Sequence, residues 1–274
     1  MAHMCPQAGH DGDVFRHIKD LQFEAKPDGP DAAFACRLQE ALGGRWGELT
    51  VAHQYLFQGW GCRLPGKYRD LLLDVGTEEM AHVEMICTMI ARLLQDAPLS
   101  VQEAAAEDNP TLAAVFGGSL PAHTIVTGSG PLPVDSSGVA WSGSYVTASG
   151  NLLADFHLNV TAEAQGRLQL ARLFHMTDDP GVKQMLRFLL ARDTAHQKIW
   201  LSAIEQLRRD GLEEMPVPEA FPDTAPESAF ADLRLGFSAG AEADGLWPGA
   251  YDEEPQPHAD PPVLPTGDPR LYCS

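Results

Sequence analysis

Basic residues are scarce in this chain. Its 274 residues hold 19 Lys and Arg against 38 Asp and Glu, a formal charge of −19 with His neutral. A surface this acidic repels phosphate backbones and anionic headgroups, which excludes nucleic acid and the membrane surface as expected partners. Long apolar runs are missing too. No stretch of about 18 apolar residues is present, so no ordinary transmembrane helix is expected, and Met1 to Asp13 has no apolar segment of the secretory-signal kind. Met1-Ala2-His3, ahead of Met4, is read as a candidate cloning scar. Cysteine is sparse and scattered, at Cys5, Cys36, Cys62, Cys87 and Cys273, with no CxxC pair. That excludes a disulfide framework and a thiolate metal site, and predicts a reduced, cytoplasmic protein. There is no nucleotide or phosphate motif.

What is present divides the chain. Residues 1–13 are expected to form a flexible extension. Residues 14–211 are expected to form a helical domain, and 212–274 an arm. Eleven of the 21 prolines lie in that last stretch, which excludes regular helix or central strand there. It nevertheless keeps Phe221, Phe230, Phe237 and Trp247, aromatics that predict an extended arm pinned to a surface. Between Asp31 and Asp210 four helical stretches are expected. The second reads Tyr68, Leu72, Val75, Glu79, His82, Ile86, Met89, Leu93, at alternating spacings of 4 and 3, a seam that faces other helices. The fourth repeats it with Val182, Leu186, Leu189, Asp193, His196, Trp200, Ala203 and Leu207, with Pro180 suited to its first turn and Thr177 to Asp179 as caps. The third runs Leu152, Phe156, Asn159, Glu163, Gly166, Leu170, Leu173. The first, Ala32 to Gly61, is poorer: Leu38, Ala41, Arg45, Glu48, Ala52, Tyr55. Gly43, Gly44 and Gly47 each cost that helix about 1 kcal/mol relative to Ala, yet small residues admit a close neighbour, and one unbroken helix is expected. A connection of about fifty residues, 97–148, separates the second stretch from the third. Such a length needs a task, and linking two helical hairpins by a crossover, as in ferritin-type bundles, is one.

The seams carry the chemistry. A buried carboxylate or imidazole costs several kcal/mol unless paired or bound to metal. Glu48, Glu79, His82, Glu163, Asp193 and His196 sit at one depth in four seams. A Glu and a His three residues apart share a helix face, ~4.5 Å apart along the axis, so both reach one ion. A single ExxH is usually a solvated helix face, and a lone buried Glu usually meets Arg or Lys. Here Arg45 is the sole basic seam residue nearby. Two such pairs plus a Glu from each remaining helix form the pattern of a carboxylate-bridged dinuclear site in a four-helix bundle. Carboxylate and imidazole without thiolate suit manganese or iron, and spacing does not choose between them.

Three stretches carry a resemblance: Arg37 to Glu48 (RLQEALGGRWGE), Gly76 to Glu84 (GTEEMAHVE) and Phe188 to His196 (FLLARDTAH). They resemble the manganese catalases, over nearly the whole chain from Phe15-Arg16-His17 to Gly267-Asp268-Pro269-Arg270-Leu271. The resemblance implies an all-α, ferritin-like four-helix bundle with a long crossover connection and an extended Pro-rich C-terminal arm. It implies two manganese ions per subunit that disproportionate hydrogen peroxide to water and dioxygen. Glu79 would bridge the ions, Glu48 and His82 would complete one, and Glu163 and His196 the other. Tyr55, seven residues beyond Glu48, matches an outer-sphere tyrosine.

Departures from the family matter. Asp193 stands where the family usually has Glu, an uncoordinated carboxylate concerned with proton transfer, and it is one methylene shorter. Ala162 stands where some members carry a basic residue. Asp70 and Asp74 match an acidic pair that helps bind calcium in some members. Their partner loop is Gly236-Phe237-Ser238-Ala239-Gly240, where Ser238 and Gly240 are the candidate ligands and Gly236 replaces an expected side-chain amide. A homo-oligomer is expected, a hexamer by resemblance. The alternatives are a ferritin-like di-iron oxidase or peroxidase, and a metal-storage or purely structural bundle without turnover. Asp193-Thr194-Ala195-His196, lacking the Glu of a second ExxH, argues mildly against the di-iron reading.

Overall fold

Helix boundaries follow local capping chemistry. The computed structural model describes residues 18–97 and 120–212, within a first compact unit, Met1–Leu207; a second, Arg208–Ser274, lies mostly outside the described residues. Helix α1 (Ala32–Gly43) starts behind Asp31, whose carboxylate accepts the Phe34 N–H at 2.8 Å. Helices α2 (Glu48–Gly61) and α3 (Gly66–Leu94) follow. After the crossover, with its short helix α4 (Pro121–Ile125), come α5 (Leu152–Phe174) and α6 (Pro180–Arg209). Asn151 caps α5 through the Ala154 N–H, at 3.0 Å. Asp179 caps α6 through the Val182 N–H, at 2.9 Å, with Pro180 beside it in the first turn. Each such cap is worth about 1 kcal/mol. Strands are absent from the described residues, apart from one isolated antiparallel bridge, Val134 to Ala140.

One expectation fails. The stretch from Ala32 to Gly61 is two helices, not one, because the chain turns at Gly44, which leaves the helix with ψ of 166°. The break resets the register, so Arg45 is exposed rather than on a seam. The small residues do serve a close approach, but of the crossover: a Cβ on Gly43 would collide with the Val134 backbone. Gln39 holds that segment, its amide donating to the carbonyls of Leu132 at 2.6 Å and Val134 at 2.8 Å. Further along, Trp141 Nε1 donates to Thr50 Oγ1 at 3.0 Å, and Gln58 donates to the Thr147 carbonyl at 2.9 Å. The described part of the crossover thus lies along α1 and α2.

All eight seam positions named on α3 and all eight on α6 are buried. Their burial makes two unlike layers. Phe34, Leu38, Met85, Met89, Met185 and Leu189 belong to one apolar cluster. Beyond the charged seam positions the interior turns aromatic and polar. Tyr55 packs against Trp200 with ring centroids 4.8 Å apart, Trp200 stacks on Phe156 at 5.5 Å, and Gln54 and Gln58 donate to Asn159. The charged residues lie between. Among the described residues no helix is long and apolar enough to cross a membrane.

Candidate metal centre

Each helix delivers its polar groups from a turn held by apolar neighbours. Glu48 is the first residue of α2, where a carboxylate meets the positive end of the helix dipole. Glu79 and His82 come from the middle of α3, Glu163 from α5, Asp193 and His196 from α6; all six are buried. They converge as two groups, Glu48 with His82 and Asp193, and Glu79 with Glu163 and His196, the ligand atoms in each lying within 4.8 Å of one another. The imidazole rings are 5.8 Å apart, centroid to centroid. Glu79 joins the groups: Oε1 is 2.8 Å from His196 Nδ1 and Oε2 is 2.6 Å from His82 Nδ1. Glu48 Oε2 stands 3.8 Å from His82 Nδ1, and Glu163 Oε1 3.9 Å from His196 Nδ1. Both Nδ1 atoms therefore face carboxylates across a shared interior.

The electrostatics match the crowding. Burial raises the Glu48 carboxyl, and the Glu79 charge adds to it, to about 7; the same two causes raise Glu163 to about 8. Asp193 is pushed well above the usual carboxylate range by burial, then by Glu48 and Glu163. Glu79 goes the other way: burial opposes its charge, but His82 and His196 outweigh it and lower the group to about 2. Burial likewise opposes charge on both imidazoles. It is outweighed at His82 chiefly by Glu79 (to about 11), and at His196 by the hydrogen bonds to Glu78 and Glu79 (to about 10). Without metal, the cluster answers its negative charge with protons.

A bound cation suits this donor set better than protons do. His82 Nδ1 and Glu79 Oε2 meet as a 2.6 Å ion pair without an aligned hydrogen bond, and His82 Nε2 is buried with no hydrogen-bond partner; an unmet buried polar atom costs about 1–3 kcal/mol. Two imidazoles and several carboxylates, with no thiolate, are the ligands of manganese or iron. Tyr55 reaches the cluster from α2, its hydroxyl donating to Glu163 Oε1 at 2.6 Å, and Trp200 Nε1 donates to the same oxygen at 3.2 Å. Burial, then the Glu163 charge, raises the Tyr55 phenol well above its ordinary range.

Glu78 was not among the residues expected from sequence. Its Oε2 lies 3.0 Å from His196 Nε2 and its Oε1 3.8 Å from His82 Nε2, so one carboxylate stands behind both imidazoles. Arg192 grips it with two donors, Nε to Oε1 at 2.6 Å and a terminal nitrogen to Oε2 at 3.1 Å, and the Gln22 amide donates at 2.7 Å. The hydrogen bond to His196 holds Glu78 well below the usual carboxylate range, against burial, with help from Arg192. A carboxylate behind a ligating His fixes its tautomer and ring orientation. The usable signal was spacing: Glu78 precedes His82 by one helical turn. Asp70 and Asp74 are exposed on α3, while Ser238 and Gly240 lie outside the described residues, as do the N-terminal extension and the aromatic residues of the arm.

The family described as manganese containing catalase matches residues 14–260. A manganese catalase of Bacillus subtilis is 57% identical over 230 residues, covering 84% of this chain and 83% of the relative. A manganese catalase of Lactiplantibacillus plantarum is 43% identical over 269 residues, covering 94% and 98%. Among solved structures, that of KatB, a manganese catalase from Anabaena, superposes with a TM-score of 0.66 at 28% identity, covering 88% of this chain and 96% of that one.

Proposed function

The chain belongs to the manganese-containing catalase family and is a catalase acting on hydrogen peroxide, and from that premise we propose that the reaction takes place at two manganese ions held by the converging carboxylates and imidazoles of α2, α3, α5 and α6. The observation that carries the reading is Glu79, whose two oxygens each face the Nδ1 of a different histidine. In it, Glu48 and His82 would hold one ion and Glu163 and His196 the other, with Glu79 standing between the two groups. Bound manganese would supply an electron store, taking two electrons as one peroxide becomes dioxygen and two protons and returning them as a second peroxide takes up two protons to become two waters. The chain's own groups do the rest. Tyr55 and Trp200 fix Glu163 through Oε1. Asp193, buried beside Glu48 and His82, is placed to hold a proton between the two halves of the reaction. Burial of the whole cluster keeps bulk solvent from the reacting oxygens.

The test is metal analysis of the purified protein beside an oxygen electrode. Manganese with one dioxygen released per two peroxides consumed is the expected result. Peroxide consumed without oxygen release, or iron as the native metal, would overturn the proposal. The same reading extends to assembly and to a cytoplasmic location. The arm from about Leu212 lies across a neighbouring subunit of a hexamer, each of its aromatic rings contributing about 1.5–3 kcal/mol on burial, and Asp70 and Asp74 bind calcium with Ser238 and Gly240. Light scattering on the full chain, and on one stopped after Asp210, checks the assembly: a full-length monomer at micromolar concentration removes the hexamer, and an unchanged oligomer after truncation removes the arm as its cause. Unchanged calcium affinity in Asp70→Ala would remove the calcium site.

A further inference from the structure

Beside the cluster is a small cavity of about 10 Å³, room for roughly one water-sized molecule. Its walls include Trp46, Glu48, Glu163, Gly166, Gln169 and Asp193. Two residues of α5 line it beside Glu163: Gly166, three positions on and on the same face, and Gln169, three positions beyond Gly166. At Gly166 a Cβ would stand 3.3 Å from Asp193 Oδ2 and 3.6 Å from the Trp46 carbonyl oxygen. The missing methyl therefore leaves the gap between them open. Gln169 has its carbonyl oxygen Oε1 buried with no hydrogen-bond partner. An amide oxygen left so in a protein interior costs about 1–3 kcal/mol, and a small molecule with an O–H to give removes that cost. The space fits one such molecule, and Glu48, Glu163 and Asp193 share its walls with Gln169.

We propose that Gln169 is a substrate-binding residue: its Oε1 accepts a hydrogen bond from one O–H of hydrogen peroxide in this cavity, while the second O–H faces Asp193 and Glu163. Gly166 keeps the cavity open to that molecule, and its small volume refuses a peroxide carrying an alkyl group. The assignment rests on the catalase reading for the identity of the ligand. Nothing is transferred to or from Gln169; it orients a molecule whose protons and electrons go elsewhere.

The test uses the manganese-loaded full chain and its Gln169→Leu and Gly166→Ala variants. Gln169→Leu keeps the bulk and loses the acceptor, and should raise KM for hydrogen peroxide about tenfold, the size expected for one hydrogen bond, with manganese content and melting temperature unchanged. Gly166→Ala should lower kcat/KM further by filling the gap. The unsubstituted protein should leave tert-butyl hydroperoxide untouched. A crystal structure of the loaded protein should show an ordered oxygen atom within hydrogen-bond distance of Gln169 Oε1, absent in Gln169→Leu. Unaltered kinetics in Gln169→Leu, or no such oxygen atom, overturns the proposal, and rapid consumption of tert-butyl hydroperoxide overturns the size filter. No oxygen release by the unsubstituted protein would instead sink the catalase reading, and the crystallographic result would still decide the role of Gln169.

Discussion

Glu163 takes hydrogen bonds from Tyr55 and Trp200, and His196 is bonded through both ring nitrogens, whereas His82, whose ring lies 5.8 Å away, is held by a 2.6 Å ion pair of Nδ1 with Glu79, and its Nε2 has no hydrogen-bond partner. The His196 half of the centre is held in place by the protein before any ion arrives. The other half, built from Glu48, His82 and Asp193, is held at fewer points, with Glu48 3.8 Å from His82 Nδ1 and His82 Nε2 unbonded, and completes itself on the ion. Preorganised ligands bind more tightly because less freedom is lost on binding. The comparison teaches that a centre whose two groups look alike in sequence need not be alike in strength.

The strongest way to break that comparison is to remove each histidine. His82→Ala and His196→Ala should both abolish oxygen release, since each removes a ligand, and metal analysis should find the greater manganese loss in His196→Ala. Equal losses would mean that the halves do not differ. Next in size, Glu78→Gln keeps the shape but removes the charge that Arg192 and both imidazoles share. A conserved-volume loss behind a ligand typically costs 10–100-fold in metal affinity or activity. Competition against a chelator should show that cost falling mainly on the ion at His196, whose Nε2 lies 3.0 Å from Glu78 rather than 3.8 Å.

A smaller effect is expected at Asp193. Asp193→Glu restores the family's usual length and should change turnover by about tenfold or less while manganese content holds, a proton-transfer effect of modest size. Metal loss as severe as that of a histidine variant would make Asp193 a ligand. The smallest effect concerns pH. In metal-free protein His82 and His196, raised to about 11 and 10, stabilise the fold fully below their unfolded value of 6.5 and lose that contribution as pH rises through their folded values. Glu48 and Glu163, raised to about 7 and 8 from 4.5, bind protons that the unfolded chain has released, so their contribution also declines from pH 4.5 upward. Glu79, lowered to about 2, contributes above 4.5 and loses this only as pH falls through 2. Metal-free protein should therefore melt a few degrees higher at pH 5.5 than at pH 8.5. Manganese, which must displace those protons, should bind better at the higher pH. Scanning calorimetry with and without manganese checks both signs.

Much of this was legible because the helices that matter are regular. On α3 and α6 the alternating 4 and 3 spacing runs unbroken through eight positions, and all sixteen are buried, so polar residues on that line had to be interior. The first stretch was misread at Gly44, where glycine's helix penalty was weighed against close packing and the packing partner was the crossover, over ninety residues later. Glu78 was missed for a related reason. It sits beside the seam rather than on it, its side chain 22% exposed, and its importance comes from Arg192 on α6, which no local pattern connects to it. Local periodicity reports which face is interior; it is silent about which flank residue folds back over a ligand.

The break between α1 and α2 also bears on how the chain can change. Each residue added to a continuous helix rotates everything beyond it by about 100°, so in one long helix an insertion ahead of Glu48 would swing that carboxylate away from His82. Because α1 ends at Gly43 and α2 begins anew at Glu48, an insertion or deletion in α1 disturbs α1 and the crossover segment that Gln39 holds, not the helical register of Glu48. Glu48 takes its position from α2 and from its antiparallel neighbour α3. Length variation upstream should accordingly be tolerated by the centre, at a cost in stability rather than in ligand geometry.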